Sequence, residues 1–214
     1  MRQIIFYFTV AGLMLVISAR AQQPLMPEKI YSFNPVPVQK PVMLDSINLG
    51  KSAFSDEKLL AYPITFPAQE RFTTALTPDT AGFFNLTKPA RGEALQLFSF
   101  FVSSDRYGKG KLTITSPNPL ELWVDDVKRA TKTQVNDSLH QSGSVDTNLN
   151  GPANNMRIVI KMLTSADYKA DPALKIELKP DEKDSLLIYT FNHTDKRRIT
   201  INDILEGKRV NSSS

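Results

Sequence analysis

Leu95-Gln-Leu-Phe-Ser-Phe-Phe-Val102, the middle of a run from Glu93 to Ser103, is apolar at both odd and even positions. Successive side chains of a strand point to opposite faces, so this pattern predicts a central strand covered on both sides. The flanking segments alternate instead. Leu112-Thr-Ile-Thr115 and Leu120-Glu-Leu-Trp-Val124 each present one apolar face. Met156, Ile158, Ile160 and Met162 alternate with Arg157, Val159, Lys161 and Leu163, while Leu174, Ile176 and Leu178 alternate with Lys175, Glu177 and Lys179. That last pattern predicts a strand with one wet face.

Between these segments lie Tyr107-Gly-Lys-Gly110, Pro117-Asn-Pro119, Asp125-Asp126, Asn150-Gly-Pro152 and Asp171-Pro172, all with turn chemistry. Several short strands, irregular turn spacing and no long amphipathic helix together predict a mainly β chain, an antiparallel β-sandwich over residues 68–180. A further strand, Ser185-Leu-Leu-Ile-Tyr-Thr-Phe191, follows the turn Asp181-Glu-Lys-Asp184. It either pairs with the sandwich or begins a following domain.

Residues 22–67 form a Pro-rich arm, punctuated by Pro24, Pro27, Pro35, Pro37, Pro41, Pro63 and Pro67. Proline fixes φ and removes a donor, which predicts extended chain laid over a surface and poor in sheet interior. Tyr31, Phe33, Val36, Val38, Val42, Leu44, Phe54, Leu59 and Leu60 make the arm too apolar for a pure linker. One helical turn is expected at Asp56-Glu-Lys-Leu-Leu60, capped by Ser55.

Residues 1–21 read as a signal peptide. Met1-Arg2-Gln3 is a positive start, Ile4 to Ser18 an apolar core, and Ala19-Arg20-Ala21 a small-x-small cleavage site. The apolar run is shorter than the roughly 20 residues that span a bilayer, so no permanent membrane span is expected. Cleavage after Ala21 would place the protein in the periplasm or outside the cell. The formal charge of +4 includes Arg2 and Arg20, so the exported remainder is nearly balanced. The dense basic run Lys196-Arg-Arg198 has no aromatic side chains interleaved with it, which argues against a nucleic-acid partner.

No cysteine is present, which excludes disulfides, thiol catalysis, thiolate metal sites and lipid attachment through cysteine. The two histidines, His140 and His193, fall in polar loops, and no Gly-x-Ser-x-Gly elbow exposes a nucleophile. Asp125-Asp126 reads as a hairpin turn, and no Asp-x-Asp-x-Asp spacing gathers the roughly six oxygens that calcium takes. Gly108 and Gly110 follow a strand but open no helix, so they do not form a phosphate loop. No catalytic residue, metal or cofactor is expected. Tyr107, Trp123, Asp125 and Asp126 are the candidate ligand-binding residues, with carbohydrate as the ligand, because exposed aromatics on a sandwich can stack on sugar rings. Alternation places Trp123 with Glu121, on the wetter face or under the Pro-rich arm.

Over residues 181–214 a strand and a short helix are expected to lead into a further domain. Thr200 and Asp203 resemble a capping box, Ile201, Ile204 and Leu205 share one face, and Gly207 can end the helix. That apolar face calls for a protein partner.

Two resemblances attach to these residues. Ser103-Ser-Asp-Arg-Tyr-Gly-Lys-Gly-Lys-Leu-Thr-Ile-Thr115, followed by Leu120-Glu-Leu-Trp-Val-Asp-Asp126, is similar to the galactose-binding-like jelly-roll modules of secreted bacterial enzymes. Ile199-Thr-Ile-Asn-Asp-Ile-Leu-Glu-Gly-Lys-Arg-Val210 resembles the lead-in to the β-propeller of prolyl-oligopeptidase-like (dipeptidyl-peptidase-type) serine peptidases. The second resemblance implies a non-catalytic N-terminal accessory region of such a peptidase, with propeller, hydrolase domain and catalytic triad absent from this sequence. The first implies a carbohydrate-binding or protein-interaction module that stands alone.

Overall fold

The computed structural model describes residues 23–38, 54–151, 155–184 and 186–194. The signal-like segment, the basic run and the tail with Ile201, Ile204 and Leu205 lie outside them. The chain is an antiparallel β-sandwich. One sheet has strand order β3 (Thr74–Leu76), β1 (Ile30–Ser32), β5 (Glu93–Ser104), β10 (Met156–Ser165), β7 (Leu120–Val124), β8 (Val127–Lys132). Two short strands, β2 (Val36–Val38) and β12 (Tyr189–Asn192), also pair with β5. The other sheet is β4 (Phe83–Asn85), β11 (Ala173–Pro180), β6 (Gly108–Ser116), β9 (Gly143–Gly151).

β5 organises the first sheet. Along one edge it pairs with β10 from Glu93 to Val102. Its other edge is filled in sequence by β2 opposite Glu93–Leu95, β1 opposite Phe98 and Ser99, and β12 opposite Phe101–Ser104. Between β2 and β1, the Phe33 amide donates to Leu97 O at 2.9 Å. The Pro-rich stretch thus joins the sheet. β2 is an edge strand, where Pro37 costs no interior ladder bond. β1, which contains no proline, lies between β3 and β5, inside the sheet that the prolines were expected to keep the arm out of. The last strand pairs with the sandwich and begins at Tyr189, later than its apolar run suggests.

Both faces of β5 are covered. Phe98, Phe100 and Val102 enter the core between the sheets, with Ile158, Ile160 and Met162 of β10 and Leu120, Leu122 and Val124 of β7. Leu112 and Ile114 of β6 and Leu174, Ile176 and Leu178 of β11 meet them from the second sheet. On the outer face, Leu95 and Leu163 pack with Leu59 and Leu60 of α1 (Asp56–Leu60). Ser55 caps α1, its Oγ accepting from Lys58 N at 3.4 Å. From α1 the chain continues across the outer face to a 3-10 turn at Gln69–Arg71 and the buried Phe72, forming a strap over residues 54–72.

Three features differ from the sequence reading. Gly108 and Gly110 are inward strand positions of β6 and not a turn, which occupies residues 105–107. A Cβ at Gly110 would lie 2.6 Å from the Tyr189 hydroxyl, and one at Gly108 would lie 2.6 Å from Leu187 Cδ2. The glycines make room for the residues that close this end of the core. The polar stretch 143–151, given no strand in the sequence reading, is the edge strand β9, because its backbone pairs along the whole of β6 while only one face meets the core. The hairpin strand β8 likewise escapes an apolar-pattern reading, since Val127-Lys-Arg-Ala-Thr-Lys132 has hardly any apolar face.

Asp125 and Asp126 form the β7–β8 turn with φ of 49° and 61°. Positive φ at both central residues is the geometry whose twist matches a two-residue hairpin. Aspartate tolerates this region and a β-branched residue does not. Asp126→Val is expected to lose about 1–2 kcal/mol in urea unfolding, while Asp126→Gly holds or gains stability. A valine variant as stable as the parent would rule the turn out.

Candidate ligand-binding face

The two sheets differ in how their outer faces are covered. The outer face of the β5 sheet lies under the strap. The outer face of the β6 sheet has no such cover among the described residues. Strand alternation sends Leu112, Ile114, Leu149, Ile176 and Leu178 into the core, so polar side chains are left outside. The registers set these out in rows. Lys109 of β6 is opposite Asn150 of β9, and Lys111 is flanked by Asn148 of β9 and Lys179 of β11. Thr113 is flanked by Asp146 and Glu177, and Thr115 by Ser144 and Lys175.

The first two rows form an open cleft of about 520 Å³, lined by Lys109, Lys111, Asn148, Asn150, Lys179 and the rim residues Asp181 and Glu182. Two backbone contacts fix the rim: Asp181 N donates to Lys109 O at 2.9 Å, and Lys109 N donates to Asp184 Oδ2 at 2.8 Å. Lys111 is paired with Asp146, and Lys175 with Glu177 at 2.9 Å. The cleft therefore offers amides that both donate and accept, ammonium donors and carboxylate acceptors.

Of the residues singled out from sequence, Tyr107 is 67 % exposed in the β5–β6 turn, two residues before Lys109. Asp125 and Asp126 occupy a hairpin turn at the same end of the sandwich, where β5 ends, β10 begins and β7 ends. Asp125 Oδ1 accepts from Arg157 N at 2.8 Å. Trp123 belongs to the same hairpin, two residues before Asp125, but faces the strap, with the Phe66 ring edge-on at 5.1 Å. Among the described residues no group of three or more His, Asp or Glu side chains is placed to hold a metal. Asn148, Asn150 and Lys179 carry no motif. For the two asparagines the only sequence signal is the alternation of Asp146, Asn148 and Asn150 with Val145, Thr147 and Leu149.

The strap covers a second polar cluster. Glu121 and Lys161, cross-strand partners on β7 and β10, are both buried and lie 3.3 Å apart. Glu121 also accepts from Trp123 Nε1 and Lys128 Nζ. Lys161 Nζ donates to Tyr62 O at 2.7 Å, and Arg157 Nη2 to Pro67 O at 2.6 Å. Near the other end of the strap, Gln69 accepts from Ser99 Oγ at 2.6 Å and lies 3.3 Å from His193 Nδ1, whose ring stacks on Tyr31 at 3.6 Å. Burial holds the His193 imidazole below its ordinary pKa. Lys132, also buried, donates to Pro117 O, Asn118 O and Gln134 O, and burial pushes its pKa down to about 8.

No protein-family model matches the chain, and no curated protein matches it. Similar solved structures include a PA14 sugar-binding domain from an RTX adhesin, at 8% identity and a TM-score of 0.41, covering 79% of this chain and 95% of that one. Another is the PA14 domain of an antifreeze protein, at 11% identity and a TM-score of 0.38, covering 86% and 82%. A third is a β-glucosidase from Kluyveromyces marxianus, at 6% identity and a TM-score of 0.39, covering 56% of this chain. The chain spans only 15% of that enzyme's length. At such identities and TM-scores these likenesses decide nothing about a ligand. No helix among the described residues is long and apolar enough to cross a membrane.

The buried charges can be tested through stability. Removing one member of a buried pair strands the other, so Lys161→Met should cost about 3 kcal/mol, and the Glu121→Leu/Lys161→Met double variant should recover most of it. Additive losses in urea unfolding would show that the pair is not coupled. Lys132 has a folded pKa of about 8 against an ordinary 10.5. Between those values the unfolded chain binds the proton and the fold does not, so stability rises with pH from about 8 toward 10. Lys132→Met should flatten that rise, and an unchanged slope would overturn the assignment.

Proposed function

We propose that this chain is an exported carbohydrate-binding β-sandwich module whose ligand lies on the open face of the β6 sheet. The observation that carries the reading is the cleft of Asn148, Asn150, Lys109, Lys111 and Lys179 rimmed by Asp181 and Glu182. Sugar hydroxyls both donate and accept, and this set supplies partners of both kinds along a rigid strand face. Tyr107 stands at the end of the β6 row as an aromatic on which a sugar ring can stack. Asp125 and Asp126 extend the same end of the sandwich, while Trp123 serves to seat the strap. Export rests on the signal-like segment 1–21.

A second reading, an accessory region docked on a peptidase-type module or another protein, draws on a different observation. Leu186 and Ile188 are 78 % and 63 % exposed beside the Tyr107 turn, where Ile188 N donates to Asp105 Oδ1. Exposed apolar groups gathered at one end suit protein contact. Leu186→Ser/Ile188→Ser would abolish such docking and leave sugar binding untouched.

Calorimetric titration against a panel of neutral and acidic oligosaccharides tests the first reading. Native protein is expected to bind at least one class, and Asn148→Ala/Asn150→Ala to weaken that binding about tenfold or more, as lost hydrogen bonds of this kind do. Binding that survives the double substitution unchanged would move the ligand off this face.

A further inference from the structure

Resting on that reading, we infer that the cleft takes a carboxylated sugar, a uronate unit within a glycan. Lys111 and Lys179 are directly opposed across β6 and β11, and Lys109 lies two residues along the same face of β6. Like charges directly opposite in a sheet destabilise it. A strand face under selection for stability alone has no use for this placement. Among the described residues, the carboxylate paired with the group is Asp146, on Lys111 from the β9 side. Among the same residues neither Lys109 nor Lys179 makes an ion pair. An anion between the two opposed lysines relieves the repulsion and gains charge-assisted hydrogen bonds.

The rim narrows the class. Asp181 and Glu182 accept from hydroxyls and repel anions, so a ligand with several anionic groups on each ring would meet them unfavourably. A uronate ring carries one carboxylate and otherwise neutral hydroxyls. Its carboxylate fits the lysine floor, its hydroxyls the carboxylate rim and the Asn148 and Asn150 amides. All three lysines are exposed, so the attraction is open to screening by salt.

The test is titration of the full chain with oligogalacturonate and oligoglucuronate, each alongside its carboxyl-reduced, neutral counterpart. Native protein is expected to bind the acidic form about tenfold or more tightly than the reduced form, with affinity falling as salt rises. Lys111→Gln/Lys179→Gln, or Lys109→Gln where the double variant does not fold, should erase the preference. Equal affinity for acidic and reduced forms, or a preference indifferent to salt and to these substitutions, overturns the inference and leaves the carbohydrate reading standing. Absence of binding to both forms and to every neutral oligosaccharide overturns both.

Discussion

A strand that is apolar on both faces needs two layers of cover, and the architecture follows from meeting that need for β5. The second sheet covers one side with Leu112, Ile114, Leu174, Ile176 and Leu178. A sandwich of two sheets has nothing for the other side, so the chain before the sandwich supplies it. α1 drops Leu59 and Leu60 onto Leu95 and Leu163, and the strap runs on to Phe72. The same stretch of chain fills the free edge of β5 with β2 and β1, which leaves that edge without a long unpaired row of backbone groups.

The strap has a polar underside. Lys161 and Arg157 reach backbone carbonyls of Tyr62 and Pro67, which the prolines and extended conformation of this segment leave free of ladder partners. Glu121 balances Lys161 and orients Trp123 through its indole N–H. A buried ion pair is a weak source of stability, and an apolar pair would often serve as well. What the hydrogen bonds do supply is register: they fix which part of an irregular segment lies over which strand.

Cover on one sheet and exposure on the other give the two outer faces different surroundings. The strapped face is occupied by the protein's own chain. The open face of the β6 sheet keeps its lysine, asparagine and carboxylate side chains available on strands whose reverse sides are locked into the core. Rigid backing of this kind fixes the backbone positions from which these side chains start, while the exposed lysines keep their rotamer freedom.

Local pattern was enough for the β class, the double burial of β5, the cap and extent of α1 and the Asp125-Asp126 turn, because each depends on periodicity or on chemistry within a few residues. Alternation also kept Trp123 off the core face. Other features came only from the folded chain: Gly108 and Gly110 make way for Leu187 and Tyr189, residues 143–151 form a strand, and the Pro-rich stretch joins the sheet. The same holds for the candidate face. Lys111 and Lys179 are far apart in the chain, and only the β6–β11 register sets them side by side. Strand pairing between distant segments is fixed by the whole core, so no local pattern announces it.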